Sequence, residues 1–325
     1  MKKPIAITLG DPAGIGPEVA AKVLARQVAK SPLTLVGSRW ALELGAAAAG
    51  VGLPSIATVE SPATQTDLFG LVDIERQPQD FRFGEVQASC GRIAVTAVEI
   101  AAGYCLDGTV SAMVTCPINK SAIQAAGYVK DIGHQEILAR LTGAERTATM
   151  LMTPGLKVVH LSTHKSLIEA ARYVTCDNVL KQLRLTWQTL AGWGLPDPRI
   201  AVAALNPHAG EDGLLGREEI DALLPAVDQA RGEGMDVTGP VSADSVFNRA
   251  IDGEFDVVLA LYHDQGHIAI KVHDFHRSTT ATMGIPFVRT SVDHGTAFDI
   301  AGRGVADEQG LLAAIDAADA LVGGE

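Results

Sequence analysis

Cysteine is scarce, and its spacing argues against two chemistries. The 325 residues carry four, Cys90, Cys105, Cys116 and Cys176, with no C-x-x-C pair and mostly apolar neighbours. This pattern predicts small buried thiols, in keeping with a reducing compartment, over disulfides or metal ligands. Long hydrophobic runs are missing too: no stretch approaches the roughly 18 to 20 uninterrupted apolar residues of a membrane helix. The basic N-terminus leads into Pro4 to Leu9, which meets Asp11 before a signal-peptide core can form. A soluble, cytoplasmic protein is expected. Positive charge is in deficit, with 26 Lys and Arg against 38 Asp and Glu and a net charge of −12. That balance repels phosphate backbones and anionic membranes, so neither nucleic acid nor a membrane is expected as a partner. There is no internal repeat, low-complexity tract or Ser/Gly linker, so composition marks no domain boundary.

What is present is an ordinary globular composition, 47% hydrophobic and 20% charged, in a length that allows two or three domains. Short apolar runs recur at 4–9, 33–37, 110–115, 147–152, 157–162, 199–205 and 256–261. Such runs predict strands covered on both faces, as in mostly parallel sheets. Amphipathic segments at 17–29, 86–106, 177–192, 217–231 and 309–322 alternate with them, which predicts an α/β architecture. Pro17 suits the first turn of the helix it opens, and Gly194, Pro196 and Pro198 stop the long helix before the strand at 199.

Open α/β sheets bind ligands beyond the C-terminal ends of their strands, and five polar loops fall there. The first is GDPAGIGPE, 10–18, where Gly10 and Gly14 allow backbone amides to approach an anion at a helix N-terminus; strand-to-helix turns are also often glycine-rich for steric reasons alone. Three loops carry one histidine each: STHK with His164, LNPHAGE with His208 and LYHDQGH with His263. A single histidine after a strand is ordinarily a hydrogen-bonded structural residue. Three in the same context predict a three-imidazole site for a divalent ion with positions open to substrate. Zn²⁺, Co²⁺ or Ni²⁺ suits such a set better than Mg²⁺, which prefers oxygen. Asp264, Glu211 and Asp244 are acids placed to orient imidazoles, whereas His160, His267, His273 and His276 are expected in core or surface packing. The fifth loop, 290–304, is a dense polar connection beside His294. Lys120, Lys271 and Arg289 stand beside these loops and point to an anionic substrate.

GDPAGIGPE at 10–18, NPHAGE at 206–211, GPVSAD at 239–244, YHDQG at 262–266 and RTSVDHGTAFDIAGRG at 289–304 together resemble the 4-hydroxythreonine-4-phosphate dehydrogenase (PdxA) family. The resemblance runs in order over nearly the whole chain. HGTAFDIAGRG is also similar to the adenosine-holding loop of isopropylmalate and isocitrate dehydrogenases, which implies their two-domain α/β/α fold with the active site in the interdomain cleft. Domain bounds are set at 1–118 plus 265–325 for the nucleotide side and 119–264 for the metal and dimerisation side. The resemblance puts the metal on His164, His208 and His263, and NAD or NADP against Gly10, Asp11, Gly14, His294, Gly295, Thr296, Ala297 and Asp299. Substrate contacts fall on His134, Gln135, Lys271, Thr280 and Arg289, and Lys120 and Asp244 are candidate proton relays. Two substrate positions depart from the family pattern: His134-Gln135 replaces His-Thr, and Thr280-Ala281-Thr282 replaces Asn-Ile-Thr.

The resemblance implies a metal- and NAD(P)-dependent dehydrogenase that oxidises a secondary hydroxyl of an anionic hydroxy acid, with decarboxylation of the β-keto acid formed. It also implies a homodimer, because the family's active site lies at a dimer interface. Relatives that oxidise cis-dihydrodiol dicarboxylates such as that of terephthalate supply a second reading. A metal- and anion-binding module without turnover is a third, from another class.

Overall fold

Every residue of the run Ile5 to Thr8 is buried, as a strand must be when helices cover both faces of its sheet. The computed structural model describes residues 2–131 and 133–323. In chain order the elements are β1 (Ile5–Thr8), α1 (Gly16–Arg26), β2 (Leu33–Gly37), α2 (Arg39–Ala49), β3 (Ala57–Thr58), β4 (Phe69–Asp73), α3 (Ala88–Leu106), β5 (Ala112–Thr115), α4 (Lys120–Ala125) and α5 (His134–Thr142). There follow β6 (Ala148–Thr153), β7 (Leu156–His160), α6 (Leu167–Tyr173), α7 (Cys176–Gly192), β8 (Ile200–Ala203), α8 (Leu224–Gly232), β9 (Val237–Val241) and α9 (Ala243–Ile251). The last are β10 (Val257–Ala260), α10 (His263–His273), β11 (Thr279–Met283), β12 (Val288–Val292) and α11 (Gln309–Gly323).

The chain forms two compact units. The first comprises the residues up to Thr147 with Ile285–Gly323, the second Ala148–Gly284. In the first, the strands lie in the order β3-β4-β2-β1-β5-β12 and all pairs are parallel. Its core joins Ala6 and Met113 of the sheet to Val95, Val98 and Ala102 of α3. By length and composition α3 is apolar enough to cross a bilayer, but half of it is buried in this unit, the situation of a core helix. In the second unit the order is β11-β6-β7-β10-β8-β9. There β6 runs antiparallel to both β11 and β7, and the rest are parallel.

Both units are α/β, as the alternation predicts. The boundaries differ from those expected at 118/119 and 264/265. Residues 119–147 stay in the first unit because α4 and α5 pack on α3, and α10 and β11 stay in the second because β11 pairs with β6 from Thr279 to Met283.

Candidate functional site

In the second unit, four chemistry-bearing side chains leave one sheet edge. Strands β7, β10, β8 and β9 are adjacent and parallel, and just past their C-terminal ends come His164, His263, His208 and Asp244 in that spatial order. All four are exposed. Nδ1 of His263 lies 2.6 Å from Asp264 Oδ1; a carboxylate there holds the ring and leaves Nε2 for a ligand, the usual arrangement behind a metal-bound imidazole. Asp244 Oδ1 accepts a hydrogen bond from Ser242 Oγ at 2.8 Å. Donor type and edge placement both fit a borderline divalent ion. Among the described residues, however, no three His, Cys, Asp or Glu side chains are gathered around one point.

One residue set aside on sequence grounds belongs to this edge. His267 stacks on His263 with ring centroids 3.6 Å apart, and its Nδ1 lies 3.0 Å from the His263 carbonyl and 3.2 Å from Nε2 of buried His160. The spacing H-x-x-x-H in 263–267, one helical turn, is the sequence signal for this pair. Burial depresses the His160 pKa to about 3, with His267 and His263 adding to the effect.

In the first unit, the GDPAGIGPE and HGTAFD loops lock together. Ile15 N donates to Thr296 O at 3.0 Å, and a Cβ on Gly14 would sit 2.9 Å from that of Thr296. The amide cradle expected in the first loop is not formed there. The N–H groups of Asp11, Ala13, Gly14 and Ile15 already donate to Pro117 O, Asp11 Oδ1, Asp11 O and Thr296 O, so Gly10 and Gly14 serve close packing of the chain on itself. What the loops do offer a nucleotide is different. Oδ2 of fully buried Asp11 has no partner among the described residues, and burial raises this carboxyl to about 6 against the opposing hydrogen bond from Ala13. Space is open around Gly295, His294 and Asp299 are exposed, and Ala297 holds a left-handed turn with φ of 43°. An orphaned buried acceptor beside an open backbone fits a cofactor that brings its own donors.

The same unit buries a cation. Arg289 on β12 is 5% exposed, its Nη2 donates to Thr115 Oγ1 of β5 at 2.5 Å, and desolvation brings its pKa down to about 9. His134, at the start of α5, has a pKa well below the ordinary value through burial first and the Arg289 charge second. Its Nε2 has no partner among the described residues. A guanidinium beside a neutral imidazole is suited to an anionic ligand. Lys120, capped into α4 by Asn119, reaches the same corner, its Cε 3.9 Å from where a Cβ of Gly133 would be. Gln135 follows His134 on α5. Lys271 and Thr280 belong to the second unit. Lys271 is exposed on the last turn of α10, with Nζ 5.8 Å from the Phe275 ring centroid, and Thr280 is half-buried on β11 opposite Leu151.

The profile of the family described as pyridoxal phosphate biosynthetic protein PdxA matches residues 29–318. The chain is 42% identical over 317 residues to the D-threonate 4-phosphate dehydrogenase of Cupriavidus necator, covering 96% of this chain and 95% of that one. The crystal structure of 4-hydroxythreonine-4-phosphate dehydrogenase from Klebsiella pneumoniae superposes with a TM-score of 0.93 at 40% identity, covering 99% and 98% of the two chains. A terephthalate 1,2-cis-dihydrodiol dehydrogenase from Burkholderia xenovorans LB400 gives 0.69 at 33%, covering 100% and 99%.

Proposed function

The chain belongs to the PdxA family, and from that membership we propose that it oxidises a four-carbon phosphorylated hydroxy acid of the D-threonate 4-phosphate type, with NAD or NADP as oxidant and with loss of carbon dioxide. Dehydrogenation of a CH–OH group is common to its relatives, and membership implies a nicotinamide cofactor and a divalent metal. The observation that carries the substrate class is Arg289, a guanidinium buried beside neutral His134. Such a charge favours a ligand that is itself anionic, because an anion offsets the desolvation of both.

His164, His208 and His263 would hold the metal, for which Zn²⁺ is the proposed species. When bound, it supplies Lewis-acid polarisation of the substrate hydroxyl and of the ketone that replaces it. The chain's own groups do the rest. Arg289 and His134 grip the anionic end of the substrate and fix its reacting carbon. Nζ of Lys120 or the carboxylate of Asp244 would take the hydroxyl proton, a bound nicotinamide would supply the two-electron oxidation of the same carbon, and the carboxyl group β to the new ketone would leave as carbon dioxide. The electron pair left behind would take up at carbon the proton that Lys120 or Asp244 removed from the hydroxyl. Asp11 and the 293–299 loop orient the nucleotide.

The departures at Gln135 and Thr280 support a substrate other than 4-hydroxythreonine 4-phosphate. Exposed Ile268 and Val272 lie one turn apart on α10, the helix that begins at His263, with exposed Phe275 in the bend just after it and exposed Leu167 and Ile168 on α6. An apolar stripe of this kind supports a homodimer. The cytoplasm is the proposed location.

The test is a side-by-side measurement of kcat/KM for D-threonate 4-phosphate, 4-hydroxythreonine 4-phosphate and the terephthalate cis-dihydrodiol, read as nicotinamide reduction with added metal. Preference for the first is expected. Efficient turnover of 4-hydroxythreonine 4-phosphate alone overturns the substrate assignment, and no nicotinamide reduction with any of the three leaves a binding module.

A further inference from the structure

The loop that carries His208 has an improbable backbone. Residues 208–212 are all left-handed, with φ of 52°, 56°, 81°, 42° and 56°. Four of the five, His208, Ala209, Glu211 and Asp212, have side chains that disfavour this region by about 1 kcal/mol or more each. The run starts at the histidine itself. Strain of this kind persists only where surrounding groups over-determine the conformation, and it collects where the placement of one side chain matters.

One buried carboxylate is placed to impose it. Glu219 is 2% exposed, and its Oε1 accepts hydrogen bonds from the backbone N–H groups of Leu205 at 2.9 Å and Asn206 at 2.8 Å, while Oε2 accepts from Asn206 Nδ2 at 2.9 Å. These donors lie immediately before Pro207 and His208. Gly210, in the middle of the left-handed run, packs so closely on this carboxylate that a Cβ there would lie 2.7 Å from Oε2. Glu219 thus holds the start of the loop by hydrogen bonds and its centre by contact. It opens a single π-helical turn, Glu219–Leu223, a widened geometry that frequently marks a functional position in a helix.

We propose that Glu219 is the positioning residue for His208, its carboxylate forming the left-handed loop before any ligand arrives. The inference rests on the reading of His208 as a metal ligand, and it goes beyond that reading by assigning the placement of the imidazole to a residue eleven positions away in sequence. Two measurements on the whole protein test it.

The first is amide hydrogen exchange of the unsubstituted protein, metal-free and loaded with Co²⁺. The N–H groups of Leu205 and Asn206 are expected to be protected equally in both. Protection that appears only on loading shows that the ion forms the loop, and overturns the proposal. The second is titration with Co²⁺ followed by its visible absorption, which reports ligand number and geometry. Glu219→Gln and Glu219→Ala are expected to weaken Co²⁺ binding by about ten- to a hundredfold, the range for groups that orient a ligand, and to alter the absorption band. Wild-type affinity and spectrum in a folded variant overturn the proposal. If both variants fail to fold, the exchange experiment still decides. Failure of the ligand reading shows separately, as an absence of Co²⁺ binding by the unsubstituted protein or its retention by His208→Ala.

Discussion

The imidazole of His267 lies flat against that of His263, with ring centroids 3.6 Å apart and planes 12° apart. One turn of α10 sets this spacing, and Asp264 holds the other side of His263 through Nδ1. His263 is therefore confined on two sides before a metal is bound. Replacement of His267 by Ala removes the stacked face and is expected to lower Zn²⁺ or Co²⁺ affinity about tenfold. His267→Phe keeps a flat ring and is expected to stay near wild type. Calorimetric titration of the three proteins checks this; equal affinities for all of them remove His267 from any role at the edge.

Asp11 connects the nucleotide-side loop to pH. Its folded pKa of about 6 stands above the ordinary 3.8, so the native chain holds this proton more tightly than the unfolded one. Stability is then highest below about pH 4 with respect to this group and falls as pH rises through 6. A shift of this size corresponds to about 3 kcal/mol when complete. Asp11→Asn removes the titration while leaving Oδ1 to accept from Ala13, so the variant is expected to be the more stable protein at pH 8 and equal to wild type near pH 4. Denaturant unfolding at the two pH values measures the difference, and an Asp11→Asn variant that loses stability equally at both contradicts the burial argument.

How far the sequence foretells this depends on which interaction decides each element. Apolar runs such as 33–37 and 256–261 announce strands because burial on both faces leaves little choice of residue. Strand β9, Val-Thr-Gly-Pro-Val, breaks that pattern and escapes notice: it closes the sheet beside β8, and an edge strand tolerates the glycine and proline that a central one excludes. The histidines are legible as a group because each follows an apolar run, and adjacency of β7, β10 and β8 then brings them to one edge. Glu219 and His267 are not legible in that way. Glu219 matters through its contact with Asn206, which only the fold makes, and His267 through its contact with His263, which the H-x-x-x-H spacing signals only once a helix over 263–267 is known. The amides of the first glycine-rich loop are misread for the same reason, since Pro117 and Thr296, which satisfy two of them, are remote in sequence.

Gly295 offers a clean test of the nucleotide site. Among the described residues nothing lies within 4 Å of where its Cβ would be, so Gly295→Val should fold without adjustment, and any loss of affinity falls on the ligand. Binding of NAD or NADP, followed by fluorescence, is expected to weaken by about tenfold or more, roughly the 1.4 kcal/mol of one poorly tolerated contact. Gly14→Val is the contrasting case: it collides with Thr296 and should lower the melting temperature as well. Unchanged nucleotide affinity in the Gly295→Val variant places the cofactor elsewhere.

Arg289 is the last and sharpest test, because burial makes its charge hard to replace. Its guanidinium is anchored to Thr115, and its charge acts on the His134 ring. Arg289→Lys retains a cation but loses the planar fork that can meet a phosphate or carboxylate with two parallel bonds. Arg289→Met retains the stem and removes the charge. If the side chain binds the substrate's anionic end, both variants should keep nucleotide affinity and lose kcat/KM for the phosphorylated hydroxy acid, Arg289→Met by about a hundredfold or more, on the order of 3 kcal/mol. Removing a buried charge also relieves a desolvation cost, so Arg289→Met is expected to resist denaturant at least as well as wild type. Lost turnover with undiminished stability is the signature of a charge held for a ligand. An Arg289→Met variant that keeps its activity, or that loses activity only because it unfolds, would show instead that the arginine serves the sheet.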